Sequence, residues 1–198
     1  YTGDGITDFV TGINGVDVNT DDGSCFDVIE GCMDETAYNY NDYDGDGETN
    51  ELTNVDSIDV NTDDGSCFAI VYGCMNDISA FNYNDYSGND SSNVVTGISG
   101  IDVNTDDGSC FPVLEGCLDG AAFNFNDYDQ DGFTNELVGD LSVDVNTHNL
   151  SLCEYEGCTN NTAINYNDAG FVQSDFGFLM PATIDDGTCN ILGCTLEA

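Results

Sequence analysis

The stretch GCMDETAYNYN, residues 31–41, begins a pattern that recurs along the chain and sets its organisation. The pattern is Gly-Cys, four variable residues, and then Ala-x-Asn-(Tyr/Phe)-Asn. Further copies begin at Gly73, Gly116 and Gly157, and the copy at Gly73 has one extra residue before its alanine. Self-similarity at an interval of about forty residues is typical of arrays of small repeated units.

A second element, DVNTDDGSC, closes each unit. It begins at Asp17, Asp59 and Asp102, is altered to DVNTHNLSLC from Asp144, and ends the series as TIDDGTC from Thr183. The two elements predict a partial module over 1–30, complete modules over 31–72, 73–115, 116–156 and 157–192, and the start of a further module over 193–198. Units this short bury little core, so disulfides and metal ions are the expected substitutes.

The charge of the chain is one-sided. Of its 198 residues, 39 are acidic and none is Lys or Arg, which gives a formal net charge of -39. Self-repulsion opposes a compact state, and salt screens little between carboxylates closer than ~8 to 10 Å. We therefore expect bound cations. The lack of basic residues excludes nucleic acid and an anionic membrane surface as direct ligands of this segment.

The ten cysteines indicate disulfides rather than zinc, because the chain has no Cys-x-x-Cys pair and only one histidine, His148. Disulfides imply an oxidising compartment, so we expect an extracellular protein of a cell surface or secreted matrix. The sequence shows no signal peptide and no apolar run long enough to span a membrane.

Two disulfide schemes fit the spacing. Long-range pairing gives Cys32–Cys67, Cys74–Cys110, Cys117–Cys153 and Cys158–Cys189, and leaves Cys194 to pair with Cys25 of a neighbouring copy. Local pairing gives Cys25–Cys32, Cys67–Cys74, Cys110–Cys117, Cys153–Cys158 and Cys189–Cys194. We favour the long-range scheme because modules without a core need the larger stabilisation. Closing the longer loop removes more unfolded-state entropy than closing the short one, about 4 kcal/mol in the chain-entropy model.

The combined pattern, Gly-Cys-x-x-x-x-Ala-x-Asn-Tyr-Asn followed by Asp-Asp-Gly-Ser-Cys, resembles the Cys-bounded, Asp/Asn-rich repeats of large secreted surface proteins of bacteria and algae. The resemblance covers nearly the whole chain. Such repeats occur in adhesins and cell-surface polymers, so the resemblance implies location and modularity rather than an activity.

The expected fold class is a tandem, elongated array of small modules, mostly loop, with short β-strands and single helical turns. Asp34 is the expected N-cap of one such turn. We expect the aromatic residue of each Asn-(Tyr/Phe)-Asn element to fill the module core, at Tyr40, Tyr83, Phe125 and Tyr166. Alternation predicts strands around Val16, Val18, Ile58, Val60, Ile101 and Val103.

Two acidic loops follow the Asn-(Tyr/Phe)-Asn element and have the form of the first half of an EF-hand loop, Asp-x-Asp-x-Asp-Gly. The carboxylate usually found at position 12 is replaced by Glu51 and Glu136 at position 10, so the loops more closely resemble those of dockerin, thrombospondin and excalibur-type modules. The predicted calcium ligands are Asp42, Asp44, Asp46, Glu48 and Glu51 in one loop and Asp127, Asp129, Asp131 and Glu136 in the other. Two degraded copies, from Asp85 and at Gly3-Asp4-Gly5, are expected to bind more weakly or not at all.

The DVNTDDG element is an Asp-x-Asn-x-Asp ladder, and we predict that it shares calcium with the loop of its module. The predicted ligands are Asp17, Asn19, Asp21 and Asp22; Asp59, Asn61, Asp63 and Asp64; and Asp102, Asn104, Asp106 and Asp107. The alternative is an Asx-turn that leads into the disulfide. The fourth copy has His148 and Asn149 in place of the acids, so no ion is expected there, and His148 is expected on the surface.

The chain lacks the inventory of an enzyme: it offers no Cys/His or Ser/His constellation, no Lys base and no phosphate-binding loop. Asn89, Asn149 and Asn160 lie in N-glycosylation acceptor patterns. The leading functional hypothesis is a calcium-binding structural protein that forms a stalk or head-to-tail filament with copies of itself. The alternatives are an adhesin that binds glycans or surface proteins, and a polyacidic protein of calcium storage or a mineral matrix.

Overall fold

A computed structural model describes residues 1–55, 57–166, 172–173, 177 and 179–193 of the chain. Its contacts divide the chain into two units, Tyr1–Ile70 and Val71–Ala198. The described residues are mostly loop with short paired strands, as expected, and contain almost no helix. One 3-10 turn, Leu150–Leu152, is the helical element of the described ranges.

Every strand is two residues long. The strands are β1 (Glu30–Gly31), β2 (Thr62–Asp63), β3 (Tyr72–Gly73), β4 (Thr105–Asp106), β5 (Glu115–Gly116), β6 (Thr147–His148), β7 (Glu156–Gly157), β8 (Val172–Gln173), β9 (Leu179–Met180) and β10 (Ile184–Asp185). The parallel pairs are β1–β2, β3–β4, β5–β6 and β7–β10, while β8–β9 is antiparallel. Each parallel pair therefore joins a Gly-Cys element to the closing element of the same module.

Asparagine side chains extend this pairing. In the first module the backbone N–H of Ile29 donates to Asn61 Oδ1 at 3.0 Å, and the N–H of Asn61 donates back to the Ile29 carbonyl at 3.0 Å. Asn104 repeats the arrangement with Val71, and Asn146 repeats it with Leu114. A side chain thus supplies a ladder bond that two-residue strands are too short to make.

The buried residues of the Asn-(Tyr/Phe)-Asn element are its asparagines. Asn41 is 1 % exposed, and its Oδ1 accepts the backbone N–H of Val60 at 2.8 Å while its Nδ2 donates to Asp59 Oδ1 at 3.1 Å. Its φ of 55° lies in the left-handed region, which asparagine tolerates better than most residues. Asn39 bonds the backbone at Ser66 and Phe68.

The same arrangement occurs in the next two modules. Asn84 and Asn126 accept the N–H groups of Val103 and Val145, each at 2.8 Å, and both have a positive φ. The expectation that the aromatic residues fill the core is wrong: Tyr40, Tyr83 and Phe125 are half-buried, and Tyr166 is 44 % exposed. A short module has more backbone groups that need partners than apolar side chains to bury, so an amide is better suited to its centre than a ring.

The four disulfides of the long-range scheme are present: Cys32–Cys67, Cys74–Cys110, Cys117–Cys153 and Cys158–Cys189. Cys25 is exposed and unbonded, so the local Cys25–Cys32 bond is absent. Cys194 lies outside the described residues.

Valine packs on glycine beside each bridge. Val60 is 8 % exposed, and a Cβ at Gly31 would lie 3.0 Å from its side chain. Val103 and Val145 pack in the same way on Gly73 and Gly116. The glycine is therefore required by close approach in these three modules.

The predicted strand positions are wrong by two residues. Of the hydrophobic positions named for strands, Val60 and Val103 are buried, whereas Ile58 and Ile101 are 40 % and 41 % exposed. Backbone pairing falls on Thr62–Asp63 and Thr105–Asp106 instead. The alternating hydrophobic pattern therefore does not mark a strand. Its valine packs on a glycine, and its isoleucine, two positions earlier, lies in a turn.

The predicted helical turn at Asp34 is a single hydrogen-bonded turn. Asp34 Oδ1 accepts the N–H of Thr36 at 2.9 Å, as an N-cap does, and the Ala37 N–H donates to the Asp34 carbonyl at 3.0 Å. The chain does not continue as a helix, because the N–H groups of Tyr38 and Asn41 donate to the carbonyls of Phe68 and Cys32, at 3.0 and 2.9 Å.

An apolar cluster in the second unit forms around Tyr155, with Cys117, Ala122 and Cys153. Tyr155 is fully buried, and its hydroxyl donates to the equally buried Asp119 Oδ2 at 2.7 Å. Met180 of the fourth module packs against this cluster. The third and fourth modules thus share a packed contact that sequence analysis missed, since a lone Tyr in CEYEGC gives no periodic signal.

We predict that Asn84→Ala weakens the second module, because it leaves the buried N–H of Val103 without its acceptor. Such a loss costs about 1 to 3 kcal/mol, so amide exchange at Val103 should accelerate by about ten- to a hundredfold. Asn76→Ala, which removes an exposed bond to Asp106, is the control and should leave that exchange unchanged. Equal effects of the two variants would contradict a structural role for the buried amide.

Candidate metal centre

Three carboxylates of the first module converge in one loop. Oxygen atoms of Asp42, Asp44 and Asp46 all lie within 4.8 Å of one another. Ca²⁺ binds oxygen at ~2.3 to 2.6 Å, so ligands on opposite sides of one ion are about 5 Å apart. The spacing of the triplet is therefore suited to a shared calcium ion.

The loop is closed by the first carboxylate. Asp42 Oδ1 accepts the N–H of Gly45 at 2.8 Å, and Asp42 Oδ2 accepts the N–H of Gly47 at 2.9 Å. Gly47 has a φ of 89°, which a side chain would strain. The chain thus curls around one face of the triplet.

The loop is anchored to the element that precedes it. The N–H of Tyr43 donates to Asn50 Oδ1 at 3.0 Å, and the N–H of Asn50 donates to the Tyr40 carbonyl at 3.1 Å. Thr49 Oγ1 donates to the Tyr38 carbonyl at 2.6 Å. The module frame therefore positions both ends of the acidic loop.

The third module builds the same site. Oxygen atoms of Asp127, Asp129 and Asp131 also lie within 4.8 Å of one another. Asp127 accepts the N–H groups of Asp131 and Gly132 at 3.1 and 3.0 Å, and the N–H of Tyr128 donates to Asn135 Oδ1 at 3.0 Å. Within the described residues, these two triplets are the acidic clusters spaced for a metal ion.

The second module has the same loop without the second and third carboxylates of the triplet, and with Asp90 at the position of Gly47. Asp85 accepts the N–H of Asn89 at 3.2 Å and the N–H of Asp90 at 2.6 Å, and Ser87 Oγ donates to Asp85 Oδ1 at 3.0 Å. Ser87 and Asn89 occupy the positions of Asp44 and Asp46. Because the loop closes with neutral residues at these two positions, closure does not require the second and third carboxylates of the other two loops.

Close carboxylates carry an energetic cost that a cation removes. Two unit charges about 4.8 Å apart repel by about 1 kcal/mol even in bulk water, and each triplet contains three such pairs. A divalent ion converts this repulsion into attraction. The donor set consists of hard oxygen atoms, which calcium prefers and softer metals do not.

The predicted glutamate ligands do not join the triplets. Glu48 Oε1 accepts a long hydrogen bond, 3.5 Å, from the hydroxyl of Tyr38. The backbone carbonyls of Glu51 and Glu136 accept the Nδ2 groups of Asn41 and Asn126, each at 3.4 Å. In the degraded copy at the head, Asp4 accepts the N–H of Ile6, and it belongs to no such triplet.

The first aspartate of the ladder closes a backbone turn. Asp59 accepts the N–H groups of Thr53 and Val55 at 2.8 and 3.2 Å. Asp102 accepts the N–H groups of Thr96 at 2.8 Å and Gly97 at 2.7 Å. Asp17 holds Thr11 and Ile13 in the same way at the head of the chain.

The rest of the ladder also bonds the backbone. Asp63 and Asp64 cap turns at Gly65 and Ser66, as Asp21 and Asp22 do at Gly23 and Ser24. Asp107 caps Ser109, while Asp106 accepts from Met75 and Asn76. The Oδ1 atoms of Asn61 and Asn104 accept the N–H groups of Ile29 and Val71, just before β1 and β3. Asn19 instead accepts a hydrogen bond from the hydroxyl of Thr20. In the described residues, the ladder side chains therefore cap turns and bond the backbone, as the Asx-turn alternative predicts. A calcium role for the ladder stays a prediction.

His148 replaces Asp106 in the fourth ladder copy and is half-buried rather than a surface residue. Its Nδ1 accepts the N–H of Leu118 at 3.1 Å, as Asp106 Oδ1 accepts the N–H of Met75 at 3.4 Å. An imidazole nitrogen thus takes the place of the carboxylate oxygen as the acceptor.

The three glycosylation patterns lie in turns. Asn89 is exposed, and its Oδ1 accepts the N–H of Ser91. Asn149 and Asn160 are half-buried, and their side chains cap the turns at Ser151 and Thr162. Asn89 is therefore the most accessible of the three acceptors.

Comparison of the chain with protein-family models, curated proteins and solved structures found no match. In the described residues, no helix is long and apolar enough to cross a membrane. The class of protein that the fold and site define is a disulfide-bonded, acidic, loop-rich repeat protein with two carboxylate triplets that could hold a metal ion.

We predict that the pKa of Asp102 lies below its ordinary value of 3.8. The hydrogen bond from the N–H of Thr96, and to a lesser extent the one from the side-chain amide of Asn84, stabilise its charged form. A lowered pKa in the folded state contributes stability that is present above pH 3.8 and is lost as the pH falls through the lowered value. The amide proton of Thr96 should report this transition in an NMR titration. A midpoint at or above 3.8 would contradict the assignment.

We predict that Asp44→Ser with Asp46→Asn, which copies the second-module loop into the first, removes one metal site and leaves the fold intact. Terbium luminescence sensitised by Tyr43 and Tyr128 should fall by about half, because two loops become one. Asp63→Asn with Asp64→Asn is the matched control outside the triplets. If the control lowers the signal as much as the loop variant does, the ions are held by the ladder or by diffuse charge.

Proposed function

We propose that this protein is an extracellular, non-enzymatic, calcium-binding repeat protein with a structural role, forming a stalk or filament on a cell surface or in a matrix. The observation that carries the calcium assignment is the comparison of the three loops. The Asp85 loop closes with Ser87 and Asn89, so the charges of Asp44, Asp46, Asp129 and Asp131 are surplus to folding the loop. These carboxylates are not needed to close the loop, yet their oxygen atoms lie within 4.8 Å of one another, and a bound cation explains that best.

Calcium is favoured over other ions by the donor chemistry. The loops present carboxylate oxygens and no imidazole or thiolate, which disfavours zinc and copper. Magnesium demands near-ideal octahedral geometry, whereas calcium accepts six to eight oxygens in flexible arrangements that include backbone carbonyls and water. An open loop with only half of an EF-hand pattern suits the less demanding ion.

A structural role is supported by how the constraints are distributed. In the first module the disulfide joins Cys32 to Cys67, and the acidic loop lies between them, anchored by Asn50 to Tyr40. The disulfide and a bound ion would therefore stiffen different parts of one module. Four disulfides also favour an oxidising, extracellular setting.

An adhesin-type binding role is the second candidate, and one cavity favours it. A cavity of about 660 Å³ in the second unit is lined by Val113, Leu114, Asp127 and Tyr128, among others. Its wall includes the first ligand of the third-module triplet, so a glycan or peptide could be bound beside the ion. Calcium storage or mineral nucleation, the third hypothesis, needs no ordered loops and gains no support from the regular module.

We predict that excess EGTA expands or unfolds the chain, because carboxylate repulsion then lacks its counter-charge. The radius of gyration from small-angle scattering and the far-ultraviolet circular dichroism should both change, and calcium should restore them where sodium chloride of equal ionic strength does not. A variant that carries Asp44→Ser, Asp46→Asn, Asp129→Ser and Asp131→Asn should no longer respond. Unchanged scattering and dichroism of the natural chain in EGTA would overturn the calcium proposal.

A further inference from the structure

The cavity of about 660 Å³ in the third module is lined by both apolar and acidic residues. Leu114 and Leu152 contribute apolar side chains to the lining, while Glu115 and Glu154 contribute carboxylates that belong to neither triplet. Cavities of a few hundred Å³ with an apolar lining and a few polar groups are typical of ligand sites. The composition of the lining therefore indicates which ligand chemistry this module accepts.

Two of the lining residues, Leu152 and Glu154, distinguish the third module from the others. Asn124 positions both, because its Nδ2 donates to the Leu152 carbonyl at 2.8 Å and its Oδ1 accepts the N–H of Glu154 at 2.9 Å. In the other modules the equivalent asparagines make these two bonds with different, uncharged residues. Those pairs are Ser66 and Phe68, Ser109 and Phe111, and Thr188 and Asn190. Among the described copies, the third module alone has a leucine and a glutamate at these positions.

A third departure from the repeat, Gln130, lines the same cavity. Its φ is 59°, in the left-handed region, where the loops of the first two modules have Gly45 and Gly88 with φ of 74° and 66°. Backbone sterics disfavour a side chain in this region, and residues that tolerate such a cost cluster at functional sites. The third module thus differs from its neighbours at three positions that face one cavity, and one of the three changes opposes local backbone preference.

The lining residues are held in place by covalent and hydrogen bonds. Leu152 and Glu154 flank Cys153, whose disulfide to Cys117 fixes that part of the chain. Tyr128 lies in the acidic loop, which is anchored by backbone and asparagine hydrogen bonds. A site that is ordered in this way loses little conformational entropy when a ligand binds.

The charge around the cavity selects a cation. The chain has 39 acidic residues and no Lys or Arg, so no basic side chain of its own neutralises Glu115 and Glu154. The adjacent triplet, which includes Asp127, keeps a net negative charge even when it holds one divalent ion. A cationic ligand therefore gains Coulomb attraction that a neutral glycan does not, and an anionic ligand is repelled. A second copy of this chain is excluded as the ligand, because it has no Lys or Arg to insert.

We propose that this cavity binds an arginine side chain of a partner protein. The alkyl stem of arginine is matched to the apolar surface of Leu114 and Leu152. Its guanidinium, with five donors in a planar fork, is matched to the carboxylates of Glu115 and Glu154, and the ring of Tyr128 offers a face for stacking. The inference goes beyond the structural role proposed above, and the two carboxylates that it uses lie outside the triplets.

The test titrates the full 198-residue chain, with disulfides formed and calcium present, with the peptide acetyl-Leu-Arg-Leu-amide. NMR should show shifts at the amides of Gly132, Leu152 and Glu154. The citrulline analogue, which has the same shape without the charge, should bind about tenfold more weakly or worse. The lysine analogue should bind about threefold more weakly, because an ammonium lacks the planar fork. Equal affinity of the arginine peptide and either analogue would overturn the proposal.

A pair of variants separates the cavity from the diffuse negative charge of the chain. Glu154→Gln keeps the shape of the side chain and removes its charge, so the Kd of the arginine peptide should rise about tenfold. Glu156→Gln is the matched control, since it makes the same change two residues further along, in β7, outside the cavity lining. An equal rise of the Kd in both variants would show that the peptide binds to diffuse charge and would overturn the proposal.

A second variant copies the first two modules into the third. Gln130→Gly with Glu154→Phe restores the residues found in those modules, where Phe68 and Phe111 pack on Tyr38 and Phe81. The fold should therefore be retained, with an unchanged free energy of unfolding or a higher one, while binding of the arginine peptide is lost. A folded variant that binds the peptide as tightly as the natural chain would overturn the proposal.

Terbium binding and a neutral sugar complete the test. Peptide binding that is lost in Glu154→Gln, in a chain that binds no terbium, would leave the cavity proposal standing and remove the calcium proposal. Terbium binding without peptide binding would do the reverse. Maltose that shifts the amides of Leu152 and Glu154 when the arginine peptide does not would indicate a glycan site and overturn the proposal.

Discussion

Hydrogen bonds from buried asparagine amides to the backbone are the interaction on which each module depends. Asn41 holds Val60 and Asp59, and Asn39 holds Ser66 and Phe68, so one short element fixes the closing part of its module. The same element anchors the acidic loop through the Tyr40 carbonyl. In most small domains apolar side chains provide this cohesion, but a unit with two-residue strands has many backbone groups to satisfy and few side chains to bury.

In the acidic loops, the residue that closes the backbone differs from the residues that add further negative charge. Asp42, Asp85 and Asp127 perform the same backbone closure in three modules, whether or not two further carboxylates follow. Charge can therefore be gained or lost at the third and fifth positions without rebuilding the frame. The ladder aspartates show the opposite use of the same residue type, since Asp59 and Asp102 bond backbone N–H groups that would otherwise lack partners.

Divergent copies reveal which features of the module are essential. His148 preserves the acceptor of Asp106, and Tyr155 occupies the position of Ile29, Val71 and Leu114 while adding a buried bond to Asp119. The close approach of valine to glycine is common to three modules, in which Val60, Val103 and Val145 pack on Gly31, Gly73 and Gly116.

The sequence alone determined the repeat and the two Asp-x-Asp-x-Asp-Gly loops, because both follow from spacing and local turn chemistry. It favoured one of two disulfide schemes, and the structure decided between them. Only the tertiary structure decided that asparagines rather than aromatic rings are buried, and that the ladder carboxylates bond the backbone. It also showed that the short strands fall at Thr62–Asp63 rather than at the alternating hydrophobic residues. The physical reason is that a pattern of residue types records which positions matter, but not which partner each polar group finds. In a module without an apolar core, those partners are supplied by contacts between segments about twenty to thirty residues apart, which local spacing does not encode.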